Sequence, residues 1–319
     1  MSCVINMLSG TEQPSLTFVI PVKDEQATLV TLFNGIAVEA GKVTGNWEVI
    51  FVDDGSTDQS WPVIQKLVSE HGEHVKAIRF RYNAGKAAAL AAGWKVSKGE
   101  IVFTLDADLQ DDPEEIPRFL EKMKEGFDVV TGWKRDRQDP WHKVLPSRIF
   151  NLILSRVNKV KLHDHNCGFK CYRSEVIQSL PMYGEMHRMV PSLAAMQGFR
   201  TAEIIVKHHP RLHGRSKYGL QRFLRGFLDM WTVFFLLNFR QRPMHFMGAV
   251  SFLMLAGGCC LSLFLARCPL PLSVFLLLSS ALPALLIGAV LTIMIGLLAE
   301  WNVHQSAENA AGKHPDNVI

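Results

Sequence analysis

The chain has 319 residues, of which 48% are hydrophobic, with 34 basic and 30 acidic side chains and a net charge of +4. This composition is too apolar for a disordered chain, and the length allows one or two domains. The charge is uneven: residues 1–206 carry −2, residues 207–242 carry +7 and residues 243–319 carry −1. Because the basic excess lies in one short segment before the most apolar part, the sequence favours a membrane surface over nucleic acid as the partner.

The first part of the chain alternates between short β-rich apolar runs and segments with helical periodicity. The predicted strands are 16–20, 48–52, 75–80, 101–105 and 128–131. The predicted helices between them are 25–40, 59–70, 84–96 and 113–124. This alternation predicts an α/β fold with a mostly parallel, twisted sheet covered by helices, which binds ligands at the carboxyl ends of its strands.

Polar motifs follow the predicted strands at those ends. Residues 21–25 (Pro-Val-Lys-Asp-Glu) close the first strand, and residues 53–58 (Asp-Asp-Gly-Ser-Thr-Asp) follow the second. The second motif also fits a turn with a helix cap, because Ser, Thr and Asp side chains bond free backbone amides. Sequence alone leaves both interpretations open.

A third motif, residues 106–110 (Asp-Ala-Asp-Leu-Gln), follows the apolar run at 101–105. If the strand continued through it, Asp106 and Asp108 would point to the same side and repel each other. A divalent cation would relieve that repulsion and would complete its shell with water and substrate phosphates. The sequence has no phosphate-binding loop with the lysine typical of ATPases.

Two later segments are amphipathic. Residues 147–161 and 219–239 both have apolar side chains at helical spacing with basic residues between them. Either is typical of a helix in the headgroup plane, and ordinary packing on a protein core is the alternative. The basic residues near 240–242 also fit side chains that snorkel and orient the helix that follows.

Two uncharged runs follow, 246–266 and 272–299, each long enough to cross a bilayer. We predict a transmembrane hairpin with both termini in the cytoplasm, because the basic belt precedes the first crossing. The alternative is a pair of buried core helices in a soluble protein. The predicted organisation is a catalytic domain, a basic juxtamembrane segment, two membrane helices and a cytoplasmic tail, at residues 1–206, 207–242, 243–299 and 300–319.

No secretory signal is visible at the N-terminus, and the six cysteines do not form a disulfide scaffold, which favours a reducing compartment. The cluster of His163, His165, Cys167 and Cys171 would supply zinc ligands by residue type. Its spacing fits no common zinc motif, because structural zinc sites normally pair cysteines two to four residues apart.

Together the motifs resemble the family-two glycosyltransferases of the GT-A fold. Further runs narrow the resemblance to the branch of dolichyl-phosphate mannose synthase and other polyprenyl-phosphate glycosyltransferases, and the two-helix anchor is similar to that of its bacterial members. These runs are 83–86 (Asn-Ala-Gly-Lys), 106–114, 164–170 (Asp-His-Asn-Cys-Gly-Phe-Lys), 187–191 and 211–218. The resemblance covers residues 16–242.

The resemblance implies a UDP- or GDP-sugar donor, a polyprenyl phosphate acceptor (undecaprenyl or dolichyl phosphate) and Mg²⁺ or Mn²⁺ as cofactor. The implied donor residues are Pro21, Glu25, Asp53, Lys86, Asp106, Ala107, Arg211, Ser216 and Lys217. The implied metal ligands are Asp106, Asp108 and Gln110, and the implied ligands of the acceptor phosphate are Arg135 and Arg148. The implied catalytic residues are Asp108, Arg135 and Asp164, where Asp164 is a base, a ligand of a sugar hydroxyl or a structural cap.

The resemblance further implies an inverting hexosyltransferase in the inner membrane that serves cell-envelope glycan synthesis. Lys134 and Cys167 depart from the residues common in this branch, so the resemblance does not assign the sugar pocket. A processive polysaccharide synthase and a catalytically inactive membrane adaptor are the alternatives. Gly257 and Gly258 fit self-association as well as packing between the two membrane helices.

Overall fold

The computed structural model describes residues 15–135, 162–180, 182, 186–210, 231–232, 234–235, 238–239 and 242–311. Two compact units make up the chain, Met1–Val233 and Phe234–Ile319.

The first unit is built on one seven-stranded sheet. Its strands are β1 Leu16–Val22, β2 Trp47–Asp53, β3 Val75–Arg79, β4 Ile101–Thr104, β5 Val129–Trp133, β6 Lys170–Arg173 and β7 Thr201–Ile205. Its helices are α1 Leu29–Val43, α2 Ser60–Glu70, α3 Lys86–Val96, α4 Ile116–Lys124, α5 Ser174–Ser179 and α6 Val190–Met196, with 3₁₀ turns at Pro113–Glu115 and Met186–Arg188. All five predicted strands and all four predicted helices of this part are confirmed, with ends that differ by a few residues.

The strand order is β3-β2-β1-β4-β6-β5-β7. β1, β2, β3 and β4 run parallel to one another, whereas β6 runs antiparallel between β4 and β5. β7 then pairs parallel to β5. The sheet is therefore mixed but mostly parallel, and its antiparallel insertion was absent from the sequence prediction.

Helices cover both faces of the sheet because the central strands are apolar on both sides. On one face α1, α2 and α4 pack around Phe18, Phe103 and Phe119, with the Phe18 and Phe103 rings stacked at 5.1 Å. On the other face α3, α5 and α6 pack around Val19 and Tyr172. This three-layer arrangement holds the carboxyl ends of β1, β2 and β4 at one edge.

The second unit contains three helices, α7 Pro243–Arg267, α8 Leu272–Ser279 and α9 Ala281–Ala311. The predicted run 246–266 lies within α7. The predicted run 272–299 is helical but is divided at Ser280, because Pro283 has no N–H to continue the helical hydrogen bonds. The hydroxyls of Ser279 and Ser280 donate to the carbonyls of Leu276 and Leu277 at 3.1 and 2.7 Å, which satisfies acceptors near the break.

The helices of the second unit are long and apolar enough to cross a membrane, at Pro243–Arg267 and Leu272–Gln305. Only 11% of the most apolar window in each is buried, whereas a core helix of a soluble protein would be mostly buried. The Ser251 hydroxyl donates to the Ala289 carbonyl at 3.0 Å, and the Met244 amide donates to Glu300 at 3.1 Å. These bonds join α7 to α9 near the middle and at one end.

Candidate active site

The strand order changes direction between β1 and β4, and such a reversal leaves a crevice at the carboxyl ends of the strands. β4 ends at Thr104, opposite Val19, while β1 continues to Val22 beside β2. Pro21 therefore lies where β1 has no neighbour on the β4 side, so its missing N–H leaves no sheet partner unsatisfied there. In open α/β sheets ligands bind at such a reversal of strand order.

The loops after β1 and β2 are joined by hydrogen bonds in both directions. The Asp24 amide donates to Ser56 Oγ at 2.9 Å, and the Glu25 amide donates to Ser60 Oγ at 2.8 Å. In return the Thr57 amide donates to Asp24 Oδ1 at 2.7 Å. Because each loop orders the other, the two polar motifs form one wall of the crevice.

The side chains of Asp53 and Asp54 stabilise this wall by accepting backbone amides. Asp53 is fully buried; its Oδ1 accepts the Ser56 amide at 2.9 Å, and its Oδ2 lies 3.4 Å from Arg79 Nε. The motif thus forms a turn, as that interpretation predicted, and Asp58 Oδ1 accepts the Ser60 amide at 2.9 Å at the start of α2, although the N-cap residue Gln59 makes no side-chain cap. A donor role for Asp53 stays a prediction. Asp54 accepts the Ala84 and Gly85 amides at 2.7 and 3.0 Å, and burial raises the pKa of its carboxyl.

Asp106 lies in the crevice and is paired with Lys86 at the start of α3. Burial opposes ionisation of Asp106, but the Lys86 ammonium outweighs it and lowers the pKa of the carboxyl well below its usual range. Gly168 also lies close to this carboxylate: a Cβ at position 168 would lie 2.5 Å from Asp106 Oδ2. The predicted donor residue Lys86 thus contacts the predicted metal ligand Asp106.

Asp106 and Asp108 were expected on the same face of a strand. They do not share one, because β4 ends at Thr104 and both residues lie in the turn after it. Leu109, at φ 58°, takes the left-handed conformation that lets this turn close. The Asp108 carboxylate is 7% exposed and accepts the Gln110 amide at 3.2 Å. Ala107 is 4% exposed and packs into the core, so a role toward the donor would fall to its backbone.

Gln110 contacts the segment that follows β7. Its Nε2 donates to the His209 carbonyl at 3.4 Å, and the His209 amide donates to the Gln110 carbonyl at 2.9 Å. In the part of the chain that the structure describes, no three His, Cys, Asp or Glu side chains converge as a metal site. A cation at Asp106 and Asp108 would therefore take its remaining ligands from water, substrate or other oxygen donors.

Lys134 and Asp111 form a buried ion pair behind the turn, with 2.6 Å between Lys134 Nζ and Asp111 Oδ1. Burial disfavours the ammonium, but Asp111 more than compensates and raises the pKa of Lys134 above its usual range. The next residue, Arg135, is exposed at the end of β5, as a ligand for an acceptor would be.

The run 162–170 reaches Asp106 through Gly168. Asp164 is 1% exposed and accepts the Asn166 amide at 3.0 Å, so it caps this turn as one alternative predicted. Its catalytic role stays a prediction.

The four residues considered for zinc point to different surroundings. The His163 imidazole stacks on Trp133 at 4.1 Å and bonds Glu203, while burial lowers the pKa of His165 to about 4. Cys167 and Cys171 are buried, and burial raises the pKa of Cys167 to about 12, which keeps it a neutral thiol.

Four predicted site residues lie outside the residues that the structure describes: Arg148, Arg211, Ser216 and Lys217. The amphipathic segment 147–161 and most of 219–239 also lie outside them. Within the described part of the second segment, Phe235 and Phe239 are helical, and their rings pack on Phe246 at 5.4 and 5.1 Å.

Sequence reasoning gave no role to Asp54, Lys170 or His187, although all three lie in or beside this crevice. Lys170 and His187 line a small cavity next to Asp106 together with Lys86. Both stand in motifs that supported the family resemblance, but only the fold shows which direction their side chains take.

Comparison with known proteins identifies the family. The family model described as glycosyl transferase family 2 matches residues 17–180. The chain is 34% identical over 259 residues to a dodecaprenyl-phosphate galacturonate synthase of Rhizobium johnstonii, which covers 79% of this chain and 77% of the relative. It is 38% identical over 217 residues to an undecaprenyl-phosphate 4-deoxy-4-formamido-L-arabinose transferase of Edwardsiella ictaluri, which covers 68% of this chain and 67% of the relative.

A solved structure supports the fold. Glucosyl-3-phosphoglycerate synthase from Mycobacterium tuberculosis, in complex with Mn²⁺, UDP and phosphoglyceric acid, matches with a TM-score of 0.54 and 18% identity over 69% of this chain and 78% of that chain. The GT-A fold and the resemblance drawn from the motifs are both confirmed. The chain belongs to glycosyl transferase family 2.

Proposed function

We propose that this enzyme transfers a sugar from a nucleotide-diphosphate donor to a polyprenyl phosphate at a membrane surface, with inversion at the anomeric carbon. The observation that carries the proposal is the turn with Asp106 and Asp108 in the crevice beside Lys86. Two apolar helices follow the catalytic unit in the same chain, as a lipid-linked acceptor requires. Relatives that act on dodecaprenyl and undecaprenyl phosphate, according to their names, support the acceptor class.

The oxygen donors of the turn fit a hard divalent cation, Mg²⁺ or Mn²⁺. Asp106 is ionised at neutral pH because Lys86 lowers its pKa, and Gly168 leaves the space beside its carboxylate open. Asp106, Asp108 and Gln110 would hold the cation against the donor diphosphate. When bound, the cation neutralises the charge that builds on the leaving diphosphate. The Mn²⁺ and UDP in the structural neighbour are consistent with this assignment.

The residues of the chain then bind and orient the two substrates. Pro21, Glu25 and Asp53 lie in the wall that would hold the nucleoside. Lys86 places a positive charge beside the expected position of the diphosphate. Arg211, Ser216 and Lys217 would close over the donor from the segment that begins directly after Pro210.

The acceptor nucleophile is a phosphate oxygen. A phosphate monoester is mostly ionised at pH 7, so the reaction needs orientation by Arg135 and Arg148 more than proton removal. Asp164, if it contacts substrate, would bind a sugar hydroxyl or act as a base. A single displacement gives a β-linked sugar from an α-linked donor.

The membrane location follows from the acceptor, which cannot leave the bilayer. We place the catalytic unit and both termini at the cytoplasmic face of the inner membrane, because the basic segment 207–242 precedes the first crossing. Each basic residue near anionic lipid adds about 1 kcal/mol of attraction. The same segment would hold the crevice at headgroup level.

The test incubates the full-length protein in membranes with labelled UDP- and GDP-sugars and undecaprenyl phosphate, and measures label extracted into organic solvent. Asp108→Asn should abolish the extractable label, because it removes a carboxylate from the proposed cation site. Glu70→Gln, which changes an exposed carboxylate on α2, is the matched control and should leave the label unchanged.

Three results would contradict the proposal. Label that survives Asp108→Asn would remove the metal assignment, and an α-linked product would exclude the single displacement. Label found only in long polymer would favour a processive synthase.

A further inference from the structure

A small cavity lies beside Asp106 in the crevice and is lined largely by polar groups. Its volume is about 10 Å³, enough for about one water-sized group. The lining includes Lys86, which pairs with Asp106. It also includes Gly168, whose missing side chain leaves room for the Asp106 carboxylate. The cavity therefore adjoins the place where the donor diphosphate is expected.

Lys170 lines this cavity from β6, where it is paired with Thr104 of β4. The residue is 3% exposed, and its ammonium donates to the Cys167 carbonyl oxygen. The structure describes no ion pair for Lys170, whereas the neighbouring Lys86 and Lys134 each have an aspartate. Within the described residues, a neutral carbonyl is thus its hydrogen-bond acceptor.

The electrostatic consequence is a buried positive charge next to the substrate site. Burial lowers the pKa of Lys170 to about 8, so most of it is still protonated at neutral pH. His187, which also lines the cavity, does not neutralise this charge, since burial lowers its pKa and leaves the imidazole neutral. Asp164 and Asp106 lie near enough to favour the ammonium but do not offset its burial, so a directly bound anion would reduce the remaining cost.

We propose that Lys170 binds a carboxylate on the sugar of the donor, and that the substrates are nucleoside-diphosphate uronic acids. The inference rests on the proposed function, because it places the sugar next to a diphosphate held at Asp106 and Asp108. A carboxylate at the end of the sugar can place one oxygen in this water-sized space and accept a hydrogen bond from the Lys170 ammonium. A phosphate oxygen is the competing occupant, and the second test below separates the two. Lys170 is then a specificity-determining residue rather than a catalytic one.

The two relatives described above differ in this chemical property. One is named for galacturonate, which carries a carboxylate, and the other for a formamido-arabinose, which does not. Family membership alone therefore does not decide between acidic and neutral sugars. Lys170 is the feature of this chain that selects the acidic class.

The first test measures donor affinity with the full-length protein in detergent, with Mn²⁺ present. The probes are three matched pairs: UDP-galacturonate with UDP-galactose, UDP-glucuronate with UDP-glucose, and GDP-mannuronate with GDP-mannose. In each pair only the carboxylate replaces a hydroxymethyl group. At least one acidic donor should bind at least tenfold more tightly than its neutral partner, and equal affinities in all three pairs would overturn the inference.

The second test compares Lys170→Met with Lys66→Met, which changes an exposed lysine on α2. Lys170→Met should remove the preference for the acidic donor, leave the affinity for UDP or GDP unchanged, and raise the Tm of the ligand-free protein. Equal weakening of the nucleoside diphosphate itself would assign Lys170 to a phosphate and overturn the inference. If Lys170→Met does not fold, the donor preference of the unmodified protein still decides.

Failure of the proposed function has a different signature. It would appear as the absence of binding by UDP, GDP and all six sugars, together with no lipid-linked product. Failure of the inference alone leaves nucleotide binding and lipid-linked product in place but without a preference for acidic sugars.

Discussion

Gly168 shows how one missing side chain shapes the proposed cation site. A Cβ at this position would lie 2.5 Å from Asp106 Oδ2 and 2.7 Å from its Cγ, so any larger residue must displace the whole carboxylate. The steric demand concerns contact with Asp106, and it does not depend on an unusual backbone conformation. The glycine is therefore a direct probe of how accurately Asp106 must be placed.

We predict that Gly168→Ala lowers sugar transfer by about 100-fold, because misplacing a substrate-positioning group by about 1 Å has that order of effect. The fold should persist, since overpacking of this kind usually costs about 1–3 kcal/mol. The control is Gly41→Ala in α1, where a Cβ would meet nothing within 4 Å. Transfer by Gly168→Ala within twofold of the unmodified protein would show that Asp106 needs no such precision.

The buried ion pair of Lys134 and Asp111 is the second feature at the scale of single residues. Asp111 is 1% exposed, and in the described part of the chain its carboxylate has the Lys134 ammonium as its ion-pair partner. Removing one member of a buried pair leaves an uncompensated charge, which typically costs about 3–5 kcal/mol. Replacing both members by apolar residues avoids that charge.

We predict that Lys134→Met lowers the Tm of the full-length protein and that adding Asp111→Leu recovers most of the loss. The pH dependence follows from the raised pKa of Lys134. A lysine whose pKa is higher in the folded state stabilises fully below its unfolded value, about 10.4, and loses this effect as pH rises further. The Tm difference should therefore be constant from pH 6 to 9, and a difference that shrinks in this range would contradict the assignment.

At the level of elements, three loops meet at Asp54, through its side chain and its backbone amide. It accepts amides from Ala84 and Gly85 before α3, while its own amide donates to the Val22 carbonyl at the end of β1. Asn83 bonds the same Gly85 amide at 3.1 Å but lies on the exposed side. The two residues thus share one donor, and only Asp54 connects it to the wall of the crevice.

We predict that Asp54→Ala weakens donor binding at least tenfold and lowers the Tm, because it releases two amides and detaches the loop before α3 from the wall of the crevice. Asn83→Ala removes only the exposed contact and should change either quantity little. The measurements are nucleotide affinity and thermal unfolding of the full-length protein. Equal effects of the two substitutions would show that the Gly85 turn, rather than the Asp54 side chain, orders this wall.

The elements that sequence predicted are those with a strong local pattern. β1, β2 and β4 are apolar on both faces and easily recognised. β6 reads Lys-Cys-Tyr-Arg and β7 is partly exposed, so neither has the continuous apolar run of a buried strand. Both depend on tertiary partners, and the antiparallel insertion they create was not predictable from the pattern.

The same limit applies to the site. The positions of Asp106 and Asp108 after a strand were predictable, but their directions were not, because β4 ends two residues before Asp106. The contact of Lys86 with Asp106 and that of Asp111 with Lys134 join residues about twenty positions apart. Such pairs are set by strand order, which local patterns do not encode.

For the whole molecule, the basic segment 207–242 spans the boundary between the two units, which lies at Val233 and Phe234. The catalytic unit has its own two-faced core around one sheet, and the second unit has exposed apolar helices. A sugar transferase that acts on a lipid phosphate needs both, because the nucleotide sugar comes from water and the acceptor stays in the bilayer. Donor binding should therefore depend on the first unit alone, and transfer to a long-chain acceptor should depend on both.

We predict that a chain ending at residue 233 keeps its nucleotide affinity but loses most transfer to undecaprenyl phosphate in vesicles, while transfer to a short, water-soluble prenyl phosphate is retained. Nucleotide binding by the truncated chain and extraction of the lipid-linked product measure the two properties, and vesicle flotation reports membrane association. A chimera in which an unrelated two-helix anchor replaces residues 243–311 separates tethering from a specific role. Recovery of long-chain transfer by the chimera would mean that the helices only hold the enzyme at the membrane. Full activity of the truncated chain on vesicle-bound acceptor would contradict the need for an anchor altogether.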